Sequence, residues 1–170
     1  MKNRKLKRKV FLSLCVTFSL VLSYVETLIP PIWPAVPGIK IGLANIAVIF
    51  VLYRFGIFNA AMVSFLRLLL STLLFGNPIT FIYGFAGAVL SLSVMAVLRK
   101  IGVFSMIGVS VAGAVFHNLG QILTAMLLLE TPALGYYMIV LIFTGTISGI
   151  FVGLCGAVIL KRTEKTGGFE

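Results

Sequence analysis

The chain has 170 residues, of which 60% are hydrophobic and only 11% are charged, with a mean hydropathy of +1.15. Soluble domains carry nearer ~25% charged residues, so this composition excludes an ordinary soluble fold and predicts a chain embedded in lipid. The net charge of +10 does not indicate nucleic-acid binding, because the basic residues lie between apolar runs instead of lining one face with aromatic side chains.

Six apolar segments follow one another along the chain, most of them near the ~20 residues that cross a bilayer as a helix. They predict an all-α membrane protein with six transmembrane helices in a single domain, residues 10–160, between a basic tail, residues 1–9, and a second tail, residues 161–170. The second segment is short, and the last two are long enough to tilt or to extend past the bilayer. The segments are Val10–Ile29, Ile39–Tyr53, Ile57–Phe75, Ile79–Leu98, Val103–Leu129 and Leu134–Leu160.

The basic residues orient these six segments. If the basic tail is cytoplasmic, twelve of the fourteen Lys and Arg residues fall on the cytoplasmic side, which leaves Lys40 outside and Arg67 within the bilayer. The positive-inside rule therefore places both termini in the cytoplasm. The basic start and first apolar run resemble a signal peptide, but no small-residue cleavage site follows, so we expect a retained first helix.

The first segment carries a stripe of small residues, Cys15, Ser19 and Ser23, at four-residue spacing. Core packing is the default interpretation of this stripe, and docking against another membrane subunit is the alternative. Cys15 and Cys155 both lie near the cytoplasmic ends of their helices. We therefore interpret them as packing residues and do not expect a disulfide.

The loop after the first segment, Pro30–Gly38, contains four of the six prolines and the only tryptophan, Trp33. Proline restricts the backbone, so the loop should be stiff, with Trp33 in the headgroup layer. It is either a rigid connector or a lid over an outward-facing cavity. Glu26 and Lys40 lie near the same outer rim and form a candidate ion pair, so we group them with Trp33 as gating or rim residues.

Arg67 lies near the middle of the third apolar segment, where an ionised side chain costs at least ~2.5 kcal/mol. Such groups usually face a polar cavity or a partner, and a guanidinium can hold a carboxylate or phosphate with two parallel hydrogen bonds. Polar residues on other segments could interact with Arg67, and two of them, His117 and Gln121, lie on one helix face. They could be hydrogen-bonding contacts between helices, but together they predict a ligand cavity lined by Asn45, Arg67, His117, Asn118 and Gln121.

The sixth segment carries Gly145, Gly149 and Gly153 at strict four-residue spacing. Small residues on one face let a neighbouring helix backbone approach closely, and this drives helix association in lipid. The spacing predicts a packing face, either within the chain or toward a partner subunit.

The sequence contains few residues of the types that catalyse reactions. The chain has four acidic residues and no Asp, and no acid pair is placed to bind Mg²⁺ for phosphate or diphosphate chemistry. The two Cys and one His cannot form a metal site by number and spacing, and no phosphate-binding glycine loop occurs. We therefore expect neither an enzyme nor a bound cofactor or metal.

Two stretches resemble a bacterial membrane family called Gx transporter, also known as heptaprenyl diphosphate synthase component I: Pro37–Ile46 and Gly113–Gln121. Arg67, Gly76 and the helix with Gly84 and Gly87 fit the same pattern, although Ala88 stands where another glycine is expected. The resemblance covers about residues 10 to 160 and implies a multi-pass protein of the bacterial plasma membrane.

This family is in turn similar to the substrate-binding S components of energy-coupling-factor (ECF) transporters, six-helix proteins that work with a transmembrane T subunit and two ATPases. The resemblance implies an uptake subunit for a small anionic or amphipathic molecule. S components tend to carry an Ala-x-x-x-Ala docking stripe on the first helix, and this chain has Cys15, Ser19 and Ser23 instead. The alternative is a non-catalytic accessory subunit of heptaprenyl diphosphate synthesis, partnered by a soluble prenyl synthase, or of a quinone or redox system.

Overall fold

The computed structural model describes residues 2–28 and 42–165, and within these ranges the chain forms helices and no strand. This confirms the predicted all-α class. The elements are α1 (Lys2–Leu28), α2 (Asn45–Phe55), α3 (Ile57–Phe75), α4 (Pro78–Ile101), α5 (Met106–Leu128), a short 3-10 helix (Pro132–Tyr137) and α6 (Met138–Lys165).

Five of the helices, α1, α3, α4, α5 and α6, are long and apolar enough to cross a membrane. Their outward faces expose large apolar side chains, among them Phe58 on α3, Leu127 on α5 and Ile147 on α6. A contiguous apolar exterior of this kind is unstable in water but matches hydrocarbon. The chain is therefore a multi-pass membrane protein.

Helix α2 differs from the other five because it is short and buried on all sides. Its 11 residues rise about 16 Å, well short of the ~30 Å of hydrocarbon. Every residue of the run 46–52 is buried, with α1, α3 and α6 packed around it. The structure thus has six α-helices in its described part, five of them long and one short inside the bundle, and the short one is the second segment, which the sequence also predicted to be short.

The second predicted segment, Ile39–Tyr53, is also displaced. Helix α2 begins at Asn45, after a turn over residues 42–44. Gly42 has a φ of +78°, which is incompatible with a regular α-helix, so the helix cannot extend back through this residue. Residues 29–41 lie outside the described part of the chain, so the predictions for Trp33 and Lys40 and for the whole loop Pro30–Gly38 are not addressed by the structure.

Two other boundaries differ from the sequence prediction. Helix α1 already begins at Lys2, so its helical backbone includes residues 2–9 of the predicted basic tail. Helix α6 begins at Met138, after the 3-10 helix, and runs on to Lys165. Lys and Arg are good helix formers, and Arg162 and Lys165 in the last turn of α6 suit its negative end, so both helices continue past their apolar runs.

Arg99, near the end of α4, fixes the C-terminal end of α2. Its guanidinium donates to the carbonyl oxygens of Leu52 and of Tyr53, the latter over 3.0 Å, and lies 5.2 Å from the centre of the Tyr53 ring. The last carbonyls of a helix have no partner within it, so this contact satisfies α2 where it ends. The C-terminus of α2 therefore lies beside the C-terminal end of α4, where Arg99 and Lys100 are found, and the N-terminus of α2 points toward the interior of the bundle.

The predicted glycine face of α6 lies against α5 of the same chain. A Cβ on Gly149 would lie 2.6 Å from the Cα of Val111, and one on Gly153 would lie 2.8 Å from the Cα of Ile107. A Cβ on Gly145 would lie 2.9 Å from Nδ2 of Asn118. The two helix backbones are in contact at these positions, so this face packs within the chain.

The small-residue stripe of α1 is also internal. Cys15, Ser19 and Ser23 are all buried, and Ser19 donates from Oγ to the carbonyl oxygen of Ala44 over 2.9 Å. The alternative that this stripe docks against another subunit is therefore wrong, and the default of core packing is correct. Cys15 and Cys155 are both free thiols.

Candidate functional site

The site is built on the turn that precedes α2. The turn over residues 42–44 is held by a backbone hydrogen bond, in which the N–H of Asn45 donates to the carbonyl oxygen of Gly42 over 2.9 Å. Irregular backbone inside a membrane bundle needs protein partners, because lipid offers none. Turn and helix N-terminus together present Asn45, the first residue of α2, toward the centre of the bundle.

Helix α1 supplies the partners that this turn requires. Oε1 of Glu26 accepts a hydrogen bond from the backbone N–H of Leu43 over 2.6 Å, and the hydroxyl of Ser19 donates to the carbonyl of Ala44. Glu26 is only 8% exposed. The structure thus places Glu26 in the protein interior against the turn, and its role as a gating or rim residue stays a prediction.

Arg67 on α3 faces the same region and is also only 8% exposed. Its Nη1 donates to Oγ of Ser23 over a long 3.4 Å, while its buried Nε has no hydrogen-bond partner in the described part of the chain. The negative charge of Glu26 acts on the guanidinium and offsets part of the cost of burying it. Arg67 therefore keeps hydrogen-bonding capacity that the described side chains do not use.

The five side chains predicted to form a ligand cavity all line one cavity of about 40 Å³, and Glu26 lines it too. They come from three helices that are distant in sequence, α2, α3 and α5. The described residues that line the cavity are Glu26, Gly42, Ala44, Asn45, Arg67, Ala114, His117, Asn118, Gln121 and Ser148.

A smaller space of about 20 Å³ adjoins this cavity. It shares Asn45 and Ser148 with the first and extends to Ser91 on α4 and Ser110 on α5. Both of these serines are buried. The polar lining therefore continues from Arg67 toward the contact between α4 and α5.

Glycines of α4 allow α5 to bring its polar residues close. A Cβ on Gly87 would lie 2.7 Å from the carbonyl oxygen of His117 and 3.0 Å from Cγ of Gln121. On the opposite helix, a Cβ on Gly120 would lie 2.8 Å from the Cα of Gly87. Only glycine permits this approach, which explains how α5, with three polar residues that line the cavity, can pack tightly against α4.

Asn118 has a second role besides lining the cavity. Its Nδ2 donates to the carbonyl oxygen of Leu141 on α6 over 2.9 Å. The sequence analysis left open that the polar residues form hydrogen bonds between helices, and Asn118 does form one. This bond uses one of the two protons of the Asn118 side-chain amide. Its amide therefore joins α5 to α6 at the edge of the cavity.

Sequence reasoning missed Ser148 and Gly42 as lining residues. Ser148 lies between Gly145 and Gly149 on the predicted packing face, yet it lines both cavities. Its hydroxyl donates to the carbonyl of Gly145 over 3.2 Å, which leaves its oxygen able to accept. A hydroxyl within an otherwise apolar glycine face was the signal available in the sequence.

The chemistry of this lining is that of polar recognition. Among the described residues it offers one guanidinium, one carboxylate, three side-chain amides, an imidazole and a hydroxyl. Within residues 2–28 and 42–165, no group of three or more His, Cys, Asp or Glu side chains could hold a metal ion. The cavity can hydrogen-bond a polar ligand of either charge, and Arg67 is suited to an anionic group.

These features define a multi-pass helical membrane protein with a buried polar cavity. The family model of heptaprenyl diphosphate synthase component I matches residues 15–159, so the chain belongs to that family. No curated protein and no solved structure matches the chain. The further similarity to energy-coupling-factor S components stays a prediction.

Proposed function

We propose that the chain is the ligand-binding membrane subunit of an uptake transporter, resembling an S component, for a small molecule that carries an anionic group. The observation that supports this most directly is the convergence of Asn45, Arg67, His117, Asn118 and Gln121 on one cavity. In this proposal the chain lies in the plasma membrane of a bacterium, with both termini in the cytoplasm.

The state of Arg67 favours binding over a purely structural role. A structural arginine in a bundle normally has its donors satisfied by carbonyls or carboxylates, as Arg99 does with two carbonyls of α2. The buried Nε of Arg67 has no such partner among the described residues, and its one described hydrogen bond is 3.4 Å long. An unsatisfied buried donor costs about 1–3 kcal/mol, and a carboxylate or phosphate would remove that cost.

Transport against a gradient requires an energy source that this sequence does not offer, since it has no phosphate-binding glycine loop with Lys and Ser or Thr. The proposal therefore needs a T subunit and ATPases supplied by other chains. The α1 stripe that was the first candidate for their docking is internal, so such partners would bind elsewhere on the bundle.

The family name supports a second candidate, a non-catalytic membrane subunit of heptaprenyl diphosphate synthesis or of a related quinone or redox system. The absence of Asp from the whole sequence argues against this chain holding Mg²⁺-diphosphate itself. A soluble prenyl synthase would then carry out the reaction, and this chain would hold it at the membrane or bind a polar group of its substrate or product.

Purification from native membranes distinguishes the two candidates. The tagged protein is extracted in mild detergent, and both its protein partners and its small ligands are identified by mass spectrometry. The transporter proposal expects ATPases and a transmembrane subunit to co-purify, whereas the accessory proposal expects a prenyl synthase. Recovery of a small ligand from the wild type but not from Arg67→Lys would support the cavity as its site, and equal recovery from both would contradict it.

A further inference from the structure

We infer that the smaller space between α2, α4, α5 and α6 is a subsite for one uncharged oxygen of the ligand, either a hydroxyl or a carbonyl group. The inference rests on the proposed ligand-binding function and narrows its ligand class to an acid that carries such an oxygen besides its anionic group. It follows from two buried hydroxyls, those of Ser91 and Ser110, in the wall of this space.

The protein buries these two hydroxyls without using them. Ser91 is 6% exposed and Ser110 is 3% exposed, and both side chains line the space. Within residues 2–28 and 42–165, neither side chain has a hydrogen-bond partner. Buried polar groups normally have one, and each hydroxyl can donate one hydrogen bond and accept two. The pair therefore keeps its whole capacity for a group inside the space.

Ser93, two residues after Ser91, shows how a serine on the outer surface of the same helix is satisfied. Its hydroxyl donates to the carbonyl oxygen of Val89, one turn earlier in α4, over 2.8 Å. Such a bond satisfies a hydroxyl within its own helix where lipid offers no partner. Ser91 and Ser110 do not form this bond in the described part of the chain, so their hydroxyls remain available to a partner in the space.

Gly113 of α5 keeps this space open. A Cβ on Gly113 would lie 3.3 Å from Oγ of Ser91 and 2.5 Å from Sδ of Met95. Because glycine has no side chain, the Ser91 hydroxyl and the Met95 thioether lie directly beside the α5 backbone. Methionine is flexible and can change its rotamer around a bound group. The wall thus combines fixed hydroxyls with one adaptable side chain.

The size of the space limits what can enter it. A volume of about 20 Å³ holds one group of the size of a water molecule. A carboxylate or a phosphate carries several oxygens and is larger than this, whereas a single hydroxyl or carbonyl oxygen fits and can accept from both serines. The described side chains around the space are hydroxyl, amide, thioether and apolar groups, which suit an uncharged oxygen.

The connection to Arg67 defines the ligand class. Asn45 and Ser148 line both spaces, so one molecule can extend from the larger into the smaller. In the larger space, the buried Nε of Arg67 has no partner in the described part of the chain and suits the anionic group. A molecule that satisfies both places carries a carboxylate at Arg67 and an uncharged oxygen at the two serines. Hydroxy acids and oxo acids have this pattern.

The test uses the purified full-length protein and a series of short unbranched carboxylic acids. Each acid is compared with the same acid carrying a hydroxyl or an oxo group at one carbon, and with the analogue carrying an amino group there. Binding is measured by calorimetry and by the shift in melting temperature. We expect at least one hydroxy or oxo acid to bind about tenfold more tightly than its parent acid and its amino analogue.

The variants Ser91→Ala and Ser110→Ala remove one hydroxyl each and add no bulk. The preference for the oxygenated acid should fall in each variant and vanish in the double variant, while affinity for the parent acid stays the same. The melting temperature should change little, because neither hydroxyl has a partner in the described part of the chain. Ser93→Ala is the control, since it makes the same change on the outer surface of α4 and should keep the wild-type preference.

Three results overturn the inference while leaving anion binding intact. The first is equal affinity of the wild type for parent and oxygenated acids, and the second is tighter binding of an amino analogue than of the oxygenated acids. The third is a preference that survives in the double serine variant, which would mean that these hydroxyls bind only water or support packing. If no acid of the series binds, the inference is wrong, and the proposed function is then decided separately by what co-purifies from native membranes.

Discussion

The carboxylate of Glu26 near the end of α1 accepts the backbone N–H of Leu43 over 2.6 Å, 17 residues further along the chain. The same carboxylate exerts its charge on Arg67 of α3. One side chain thus secures the irregular backbone before α2 and supplies the negative charge of the candidate site. The shape of the turn and the electrostatics of the cavity are coupled through this residue.

Replacing Glu26 should therefore have a large effect on stability. Glu26→Ala leaves the Leu43 amide without its acceptor and removes the negative charge that acts on the buried guanidinium, and the lost hydrogen bond to a charged group alone costs about 1.5–3 kcal/mol. Glu26→Gln keeps an acceptor for Leu43 and should lose less. Unfolding in mixed micelles measures the difference, with Glu164→Gln as control. If Glu26→Ala were as stable as the wild type, the bond to Leu43 would not secure the turn.

The contact between α5 and α6 predicts a sharp limit on side-chain size at Gly149. A single methyl group there would lie 2.6 Å from the Cα of Val111, and a backbone atom cannot move aside as a side chain can. Overpacking of this kind costs about 1–3 kcal/mol of stability for Gly149→Ala. The larger side chain in Gly149→Leu should prevent α5 and α6 from packing together.

The neighbouring residue Ile150 provides the control for Gly149, because it is exposed on the outer face of α6. Ile150→Leu should leave the yield and the melting temperature of the detergent-solubilised protein unchanged. Equal tolerance of Gly149→Leu and Ile150→Leu would show that the two helices are not in backbone contact at this position.

Arg99 should matter for the stability of the bundle and not for the cavity. Its two bonds to the carbonyls of Leu52 and Tyr53 hold the end of α2, so Arg99→Ala should cost about 1.5–3 kcal/mol. Arg99→Lys should recover only part of this, since an ammonium group lacks the two-pronged geometry. The exposed neighbour Lys100 provides the control, and Lys100→Ala should have little effect on the melting temperature.

The predicted topology can be tested by labelling. Single cysteines at Asn3, Asn77 and Gly168, in a background without Cys15 and Cys155, report the side of the membrane to an impermeant thiol reagent. The distribution of basic residues predicts labelling from outside only at position 77. Labelling from outside at position 3 or 168 would contradict cytoplasmic termini.

The sequence predicted the long helices well because lipid imposes a simple rule: about 20 apolar residues in a row form a span. It predicted a short second segment but not its start at Asn45 or its burial inside the bundle, for the same reason. A helix buried among other helices can be as apolar as a lipid-facing one and yet be much shorter, and hydropathy does not distinguish them. The positive φ of Gly42, which sets the start of α2, was not visible in the apolar pattern.

The candidate site shows the same contrast. Arg67, His117 and Gln121 stood out because polar groups in apolar runs are costly, and the structure brings them to one cavity. Ser148 did not stand out, since serine is common in helix contacts. The partner of Glu26 could not be deduced either, because a backbone amide in an irregular turn has no signature in the sequence.

The final prediction separates binding from stability at Arg67. Arg67→Lys keeps the charge opposite Glu26 but loses the planar pair of donors, so ligand affinity should fall about tenfold to a hundredfold while the melting temperature changes little. Arg67→Ala should lose binding altogether and also lower the melting temperature, since the buried Glu26 then loses the positive charge of the guanidinium. Affinity and melting temperature are measured on the same preparations, with the ligand identified from native membranes. A loss of stability in Arg67→Lys with unaltered affinity would show that Arg67 supports the fold and does not contact the ligand.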